Sequence, residues 1–340
     1  MSELYASGYV EHLRGVVSES LAQWGFSADC RVALLTVSEN ATFVITDGNG
    51  QRCHVVRVHR PGYHTLSEIQ SELKWIEALR REEVVLTPRP IPLKNGGAIA
   101  SFQDGDETRY MVAFEFMLGE EPSTEHSLNE GFRQLGSITA RLHQHVLHWK
   151  PPASFARKIW NFETTIGPTP HWGFWEQSPG LTAEGKILLA RTVDTIKTRL
   201  DVYGAGPDRF GLIHADLRLA NLLVDDDKLA VIDFDDCGFG WYAYDFAAAI
   251  SFMEEDPQVP DLLQAWISGY RDVGVLSEED EGMIPTFIML RRIMLTAWLA
   301  THSETPTAQE LGVAFLDGTL RMARNMETSG TPLVLEKTMC

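Results

Sequence analysis

The chain has 340 residues, 44% of them hydrophobic and 22% charged. That profile fits a globular protein of about two structural units and excludes disorder, collagen or a coiled coil as the main architecture. Lys and Arg number 29 against 47 Asp and Glu, a net charge of −18, so neither nucleic acid nor an anionic membrane surface is expected as a partner. The four cysteines, Cys30, Cys53, Cys237 and Cys340, form no CxxC pair and read as thiols of a reducing compartment. The N-terminus lacks the apolar core of a signal peptide. No span is expected to supply the ~18 apolar residues of a membrane helix, because Arg291 and Arg292 interrupt the most apolar helix, 283–300. A cytoplasmic location follows as the expectation.

In chain order, an amphipathic helix is expected to end near Trp24. Short β-branched runs at 31–37, 42–46 and 53–58 read as strands, with DGNG at 47–50 as a hairpin turn. TLSE at 65–68 is a capping box, followed by Leu66, Ile69, Leu73, Ile76 and Leu79 at helical spacing. Two further strands are placed at 98–102 and 110–116, and Gly119 breaks the pattern. SLNE at 127–130 reads as a second capping box, ahead of Phe132, Leu135, Ile138 and Leu142 on one helix face. The Trp- and Pro-rich stretch 150–180 is expected as a loop whose aromatics form either a substrate wall or plain core. A helix follows at 183–203, a β-rich insert at 210–234, and helix beyond Tyr242. His143, His145 and His148 share one helix without a carboxylate or cysteine nearby, so a metal site is not expected there. The acidic run 254–256 reads as a turn. The run 278–281 reads as a helix start behind the cap Ser277.

The insert carries the chemistry. LIHADLRLANLLV (212–224) and LAVIDFDD (229–236) are two apolar strands around a turn. They deliver His214, Asp216 and Asn221 to one loop and Asp233 to the next. Phosphoryl transfer needs a carboxylate to orient the attacking hydroxyl and accept its proton. It also needs an amide and a second carboxylate to hold Mg²⁺ against the nucleotide phosphates. His214-x-Asp216, four residues, then Asn221 keeps the spacing of the kinase catalytic loop, and Asp233-Phe234 stands where a metal-binding Asp-Phe would be. Asp235 and Asp236 read equally as substrate contacts or as loop hydrogen-bonding groups.

The segment HADLRLANLLVDDDKLAVIDFDDCGFGWYAYDFA resembles the signature of the aminoglycoside phosphotransferase superfamily, which includes choline kinases and type II homoserine kinases. Gly136 with Leu142-His143, and Tyr244-Asp245, are similar to further elements of that family. The resemblance implies an α+β, protein-kinase-like two-lobe fold, with a small β-rich N-lobe and a larger, mainly helical C-lobe. It implies Asp216 as catalytic base, Asn221 and Asp233 as Mg²⁺ ligands, and a structural Asp245.

On the nucleotide side the loop around Ser38 and Asn40 is the candidate phosphate cover. It lacks glycines, and taken alone it could be an ordinary hairpin connection. The strand lysine of kinases is absent, since Lys74 is the first lysine in the chain. Arg57 occupies its place, and a guanidinium can fork onto phosphate oxygens. Its expected partner is Glu72, one turn beyond the capping residue Glu68. The alternative for Glu72 is a surface pair within its helix. The resemblance places adenine at Glu115, Phe116 and Met117.

Residues 1–118 thus read as a nucleotide-binding lobe and 119–340 as a catalytic and substrate lobe. The expected function is transfer of the γ-phosphate of ATP, with Mg²⁺, to the hydroxyl of a small molecule such as an aminoglycoside, homoserine or choline. The stretch between Asp236 and Tyr244 is too short for a protein-kinase activation segment, which favours a small acceptor. A protein Ser/Thr kinase of the stress-response type and a nucleotide-binding pseudokinase module are the alternatives. The sequence is silent on oligomeric state.

Overall fold

A computed structural model describes residues 7–37, 40–123, 127–226, 228–303 and 305–333. The chain divides into two compact units, Met1–Gly119 with Pro151–Arg157, and Glu120–Lys150 with Lys158–Cys340.

In the first unit, helix α1 (Ser7–Trp24) is followed by β1 (Arg31–Val37), β2 (Ala41–Thr46), β3 (Arg52–Val58), α2 (Leu66–Arg81), β4 (Pro90–Ile91), β5 (Ala100–Asp104) and β6 (Glu107–Glu115). The strands form one antiparallel sheet in the order β1-β2-β3-β6-β4, with β5 also on β6. Register explains its core. Phe43 pairs with Val56 and Val56 with Ala113, while Ala41 pairs with Val58 and Val58 with Met111. These rows pack with Leu13, Val17, Leu21 and Trp24 of α1. Side chains alternate along a strand, so Arg57, between Val56 and Val58, is sent to the opposite face of the sheet.

Helix α2 starts at the expected capping box: Thr65 Oγ1 accepts from the Glu68 N–H, and Glu68 Oε2 accepts from the Thr65 N–H at 2.7 Å. Its buried face carries Ile69, Glu72, Leu73 and Ile76. The segment Pro151–Arg157 fastens to α2, with Arg157 Nη1 donating to the Glu68 carbonyl at 2.9 Å and the Ala156 N–H to Ser71 Oγ at 2.9 Å.

The second unit runs α3 (Asn129–His148), β7 (Ile159–Trp160), the single turn α4 (Phe162–Thr165), α5 (Ala183–Tyr203), β8 (Phe210–Ile213), β9 (Leu222–Asp225), β10 (Lys228–Val231), β11 (Gly238–Trp241), α6 (Tyr244–Ala249), α7 (Val259–Arg271), α8 (Glu278–Thr301) and α9 (Pro306–Ser329). β9 and β10 form a hairpin, and β11 lies between β7 and β8. Helices α3 and α7 cross at two glycines. A Cβ on Gly136 would lie 2.1 Å from the Trp266 carbonyl oxygen, and one on Gly269 1.8 Å from that of Arg133. Only glycine permits this approach, which sets α7 behind the His143 stretch of α3.

Three sequence expectations are corrected. The box at Ser127 does not form: α3 starts at Asn129 behind the buried Leu128, with no side-chain cap. Burying Leu128 sets the helix entry instead. One helix does reach membrane-spanning length and apolarity, because α8 has a mean hydropathy of 1.3 in its most apolar window. That window is 83% buried, however, so α8 is a core helix. Finally, 150–180 is not one loop: β7 and α4 lie within it, and Trp160, Trp172 and Trp175 are buried core residues while Phe174 is exposed.

Candidate active site

The site in the second unit is built outward from β8. His214, the residue after this strand, is fully buried. Its Nε2 donates to the Ile232 carbonyl at 3.2 Å and its Nδ1 accepts the Asp216 N–H at 3.3 Å. This pattern requires the neutral Nε2–H tautomer, and burial pushes the ring pKa below its ordinary value in the same sense. Phe234 covers the ring at 4.5 Å between centroids, which accounts for an aromatic after Asp233.

Ala215 sits in the left-handed region with φ +66°, a conformation that costs a non-glycine residue roughly 1–2 kcal/mol. Two groups hold it there. Asp245 of α6 accepts the Ala215 N–H at 2.8 Å and the His214 N–H at 3.3 Å. Arg291 Nη1 donates to the Ala215 carbonyl at 3.3 Å. Asp245 is itself completely buried and meets His143 Nε2 at 3.0 Å, while His143 Nδ1 faces the Tyr270 hydroxyl at 3.0 Å. The histidine that opened the α3 cluster is therefore a support of the loop.

The strained peptide aims Asp216. Its Oδ1 accepts from Arg291 Nη2 at 2.7 Å, and its Oδ2 from Asn221 Nδ2 at 2.7 Å and Arg218 Nε at 3.3 Å. The side chain keeps 14% of its surface exposed, which leaves the carboxylate reachable. Burial alone would raise its pKa, but Arg218, Arg291 and His214 outweigh that and hold it below the usual carboxylate value. The group is thus held anionic, in the state that can accept a hydroxyl proton.

Asn221 donates through Nδ2 to the Asp216 carbonyl as well, at 2.8 Å. With Nδ2 committed to Asp216, the side-chain Oδ1 of Asn221 is the atom left for a cation, its backbone carbonyl being part of the hairpin ladder. Hairpin register brings Asn221 opposite the residue before Asp233. Leu222 pairs with Val231, and the Asn221 carbonyl continues the ladder by accepting the Ile232 N–H at 2.9 Å. Asp233 follows in the left-handed region with φ +59°, exposed, and accepts the Asp235 N–H at 3.4 Å. Asp235 and Asp236 are buried, and the Asp236 carbonyl accepts Trp160 Nε1–H at 2.8 Å.

In the first unit, Arg57 Nη2 donates to both oxygens of Glu72, at 2.5 and 2.6 Å, with Glu72 fully buried. The expected partner is therefore in place, and Glu72 is no surface residue. Asn40 Oδ1 accepts the Arg60 N–H at 3.0 Å, which ties the start of β2 to the end of β3. Ser38 lies outside the described residues. The Glu115 carboxylate is held by Arg80 at 3.0 Å and Arg89 at 3.4 Å, and the Phe116 N–H donates to the Cys53 carbonyl at 3.0 Å. Met117 follows, partly exposed.

Sequence reasoning missed Arg291. The signal was visible as a charge in an apolar helix, but the partner that explains it lies 75 residues away.

Comparison with known proteins matches residues 33–276 to the family described as phosphotransferase enzyme family. A microcompartment-associated aminopropanol kinase is 40% identical, covering 93% of this chain and 98% of that one, with a TM-score of 0.85. The amicoumacin kinase of Bacillus subtilis (strain 168) is 23% identical over 333 residues, 95% of this chain and 94% of that protein. The structure of amicoumacin kinase hAmiN in complex with AMP-PNP, Ca²⁺ and Ami shares the fold at a TM-score of 0.75 and 19% identity, covering 97% and 98% of the two chains.

Proposed function

The chain belongs to the phosphotransferase enzyme family, and from that premise we propose that it phosphorylates the hydroxyl of a small amino alcohol. It is an ATP-dependent kinase of small-molecule alcohols with the protein-kinase-like fold, and it uses a divalent metal with its nucleotide. The amino-alcohol reading takes its support from the 40% identity to an aminopropanol kinase across nearly the whole chain. Asp216, Asp233, Asp235 and Asp236 make the loop region acidic, which suits an acceptor carrying an ammonium group. β11 and α6 follow Asp236 directly, so a docking segment for a protein substrate is not provided.

Under this reading the acceptor hydroxyl donates to the exposed edge of Asp216. The carboxylate fixes the oxygen for in-line attack and takes its proton as the bond to phosphorus forms. Asn221 Oδ1 and the Asp233 carboxylate are hard oxygen donors on adjacent loops, a set that fits Mg²⁺. Bound there, the ion would neutralise charge on the phosphates. The first unit, residues 1–118 by sequence, supplies Arg57 as the phosphate-facing cation, kept in one orientation by Glu72. With the Glu115 carboxylate held by two arginines, recognition of adenine falls to the backbone of Glu115, Phe116 and Met117. Asn40 would meet the nucleotide through Nδ2 or its backbone, and Ser38 would complete that loop. We place the protein in the cytoplasm, consistent with Cys30, Cys53 and Cys237 as free thiols.

The test is ADP release over a panel of 1-amino-2-propanol, ethanolamine, choline, homoserine, an aminoglycoside and a Ser/Thr peptide mixture. The proposal expects the amino alcohols to lead in kcat/KM. Turnover with peptides alone would overturn it in favour of a protein kinase, and ATP binding without turnover on a wider panel would favour a binding module.

A further inference from the structure

We propose that Arg291, buried in α8, is a positioning residue for phosphoryl transfer: it holds both the Asp216 carboxylate and the strained peptide that presents it. Every nitrogen of its guanidinium is engaged. Nε donates to Ser251 Oγ at 3.1 Å, Nη1 to the Tyr244 hydroxyl at 3.1 Å and the Ala215 carbonyl at 3.3 Å, and Nη2 to Asp216 Oδ1 at 2.7 Å. The guanidinium carbon also lies 4.9 Å from the centroid of the Trp172 ring, which packs on Trp160 and Trp298. One side chain thus links α8, α6, Ser251 just beyond α6 and the catalytic loop.

The placement is hard to explain by stability alone. Arg291 is 2% exposed in the most apolar helix of the chain. A buried charge carries a large desolvation penalty, and an apolar residue of similar volume at such a site is often neutral or stabilising. Its neighbour Arg292 is equally buried but pairs with Glu254 at 2.6 Å, so the two arginines divide their tasks, one toward packing and one toward the loop. The other partners of Asp216, Arg218 and Asn221, both bind Oδ2. Among the described residues it is Arg291 that engages Oδ1 and the preceding carbonyl together. It fixes the carboxylate against rotation and stops the Ala215 peptide from flipping out of its left-handed conformation. A misplacement of about 1 Å at a reacting group can cost roughly 100-fold in rate.

The inference rests on the assignment of Asp216 as the acceptor-orienting carboxylate, and the experiment separates the two. Arg291→Met, Arg291→Lys, Asp216→Ala and the double variant Asp216→Ala/Arg291→Met are compared by ADP release with 1-amino-2-propanol, calorimetric ATP affinity and thermal melting. Arg291→Met is expected to keep its melting temperature and ATP affinity and to lose about 100-fold in kcat. Arg291→Lys, which keeps the charge but not the fork, should lie between it and wild type. In the Asp216→Ala background, Arg291→Met should add no further loss, because a residue acting through another has nothing left to act on. If Arg291→Met fails to fold, Arg291→Lys and the double variant decide. Wild-type kcat in folded Arg291→Met or Arg291→Lys, or additive losses in the double variant, would overturn the proposal while leaving Asp216 in place. Full activity in Asp216→Ala would instead overturn the assignment on which it rests.

Discussion

The loop at 214–236 and the Arg57–Glu72 pair hold the residues proposed for the two halves of the chemistry, and they are secured in opposite ways. Asp216 keeps part of its surface exposed and is pinned by three separate donors. Glu72 is fully buried, and a single nitrogen of Arg57 donates to both of its carboxylate oxygens. Removing the Asp216 carboxylate should therefore cost activity while nucleotide affinity is kept, although it also leaves the buried Arg291 without its carboxylate. In the second region, removal strands a buried charge, so stability and nucleotide affinity should fall together.

The sharpest way to break that contrast is Asp216→Ala. Turnover should drop by ~10²–10⁴-fold, the range for loss of a general base, while calorimetric ATP affinity stays near wild type. A large loss of ATP affinity instead would erase the difference between the regions. Next in size is Arg57→Ala, expected to lose about 3–5 kcal/mol of stability in denaturant melts, as when one member of a buried pair is removed, along with ATP affinity. Glu72→Ala should do the same. The double variant should cost less than the sum of the singles, since neither charge is then left alone. Additive losses would mean that the two residues are not a unit.

Asp233→Asn tests whether the exposed carboxylate just past β10 serves a cation. Losing a charge-assisted contact is worth roughly 1.5–3 kcal/mol, so ATP affinity measured with Mg²⁺ should weaken by about 10-fold or more. Affinity in excess chelator should be unchanged. Equal affinities for mutant and wild type at every Mg²⁺ concentration would remove the metal role. The smallest effect is expected at Ala215. Glycine there relieves a positive φ but gains freedom in the unfolded chain, so Ala215→Gly should fall within about 1 kcal/mol of wild type. A β-branched Val cannot adopt φ +66° without strain, and Ala215→Val should lose activity through the displaced Asp216.

The same contrast explains what the sequence made legible. Asp216, Asn221 and Asp233 lie within one short segment, and hairpin register brings Asn221 opposite the residue before Asp233. The arrangement could be read from spacing. The pairing of Arg57 with Glu72 was also within reach, because strand alternation and helical spacing fix which faces the two present. The resemblance implied a structural Asp245, but what the supports of the loop contact was not legible. Asp245, His143 and Arg291 reach it from α6, α3 and α8, and no local pattern specifies a contact across such separations. The failed cap at Ser127 shows the other limit. A local motif predicts a hydrogen bond, but burial of Leu128 decides how the helix begins.

The central claim is that this chain moves a phosphate from ATP to the hydroxyl of an amino alcohol through Asp216. Phosphorus NMR of a reaction containing ATP, Mg²⁺ and 1-amino-2-propanol tests it most directly. The account predicts a phosphate monoester of the amino alcohol appearing in step with ADP for the wild-type enzyme and lost with Asp216→Ala. ADP with only inorganic phosphate, or a monoester formed equally well by Asp216→Ala, would contradict it.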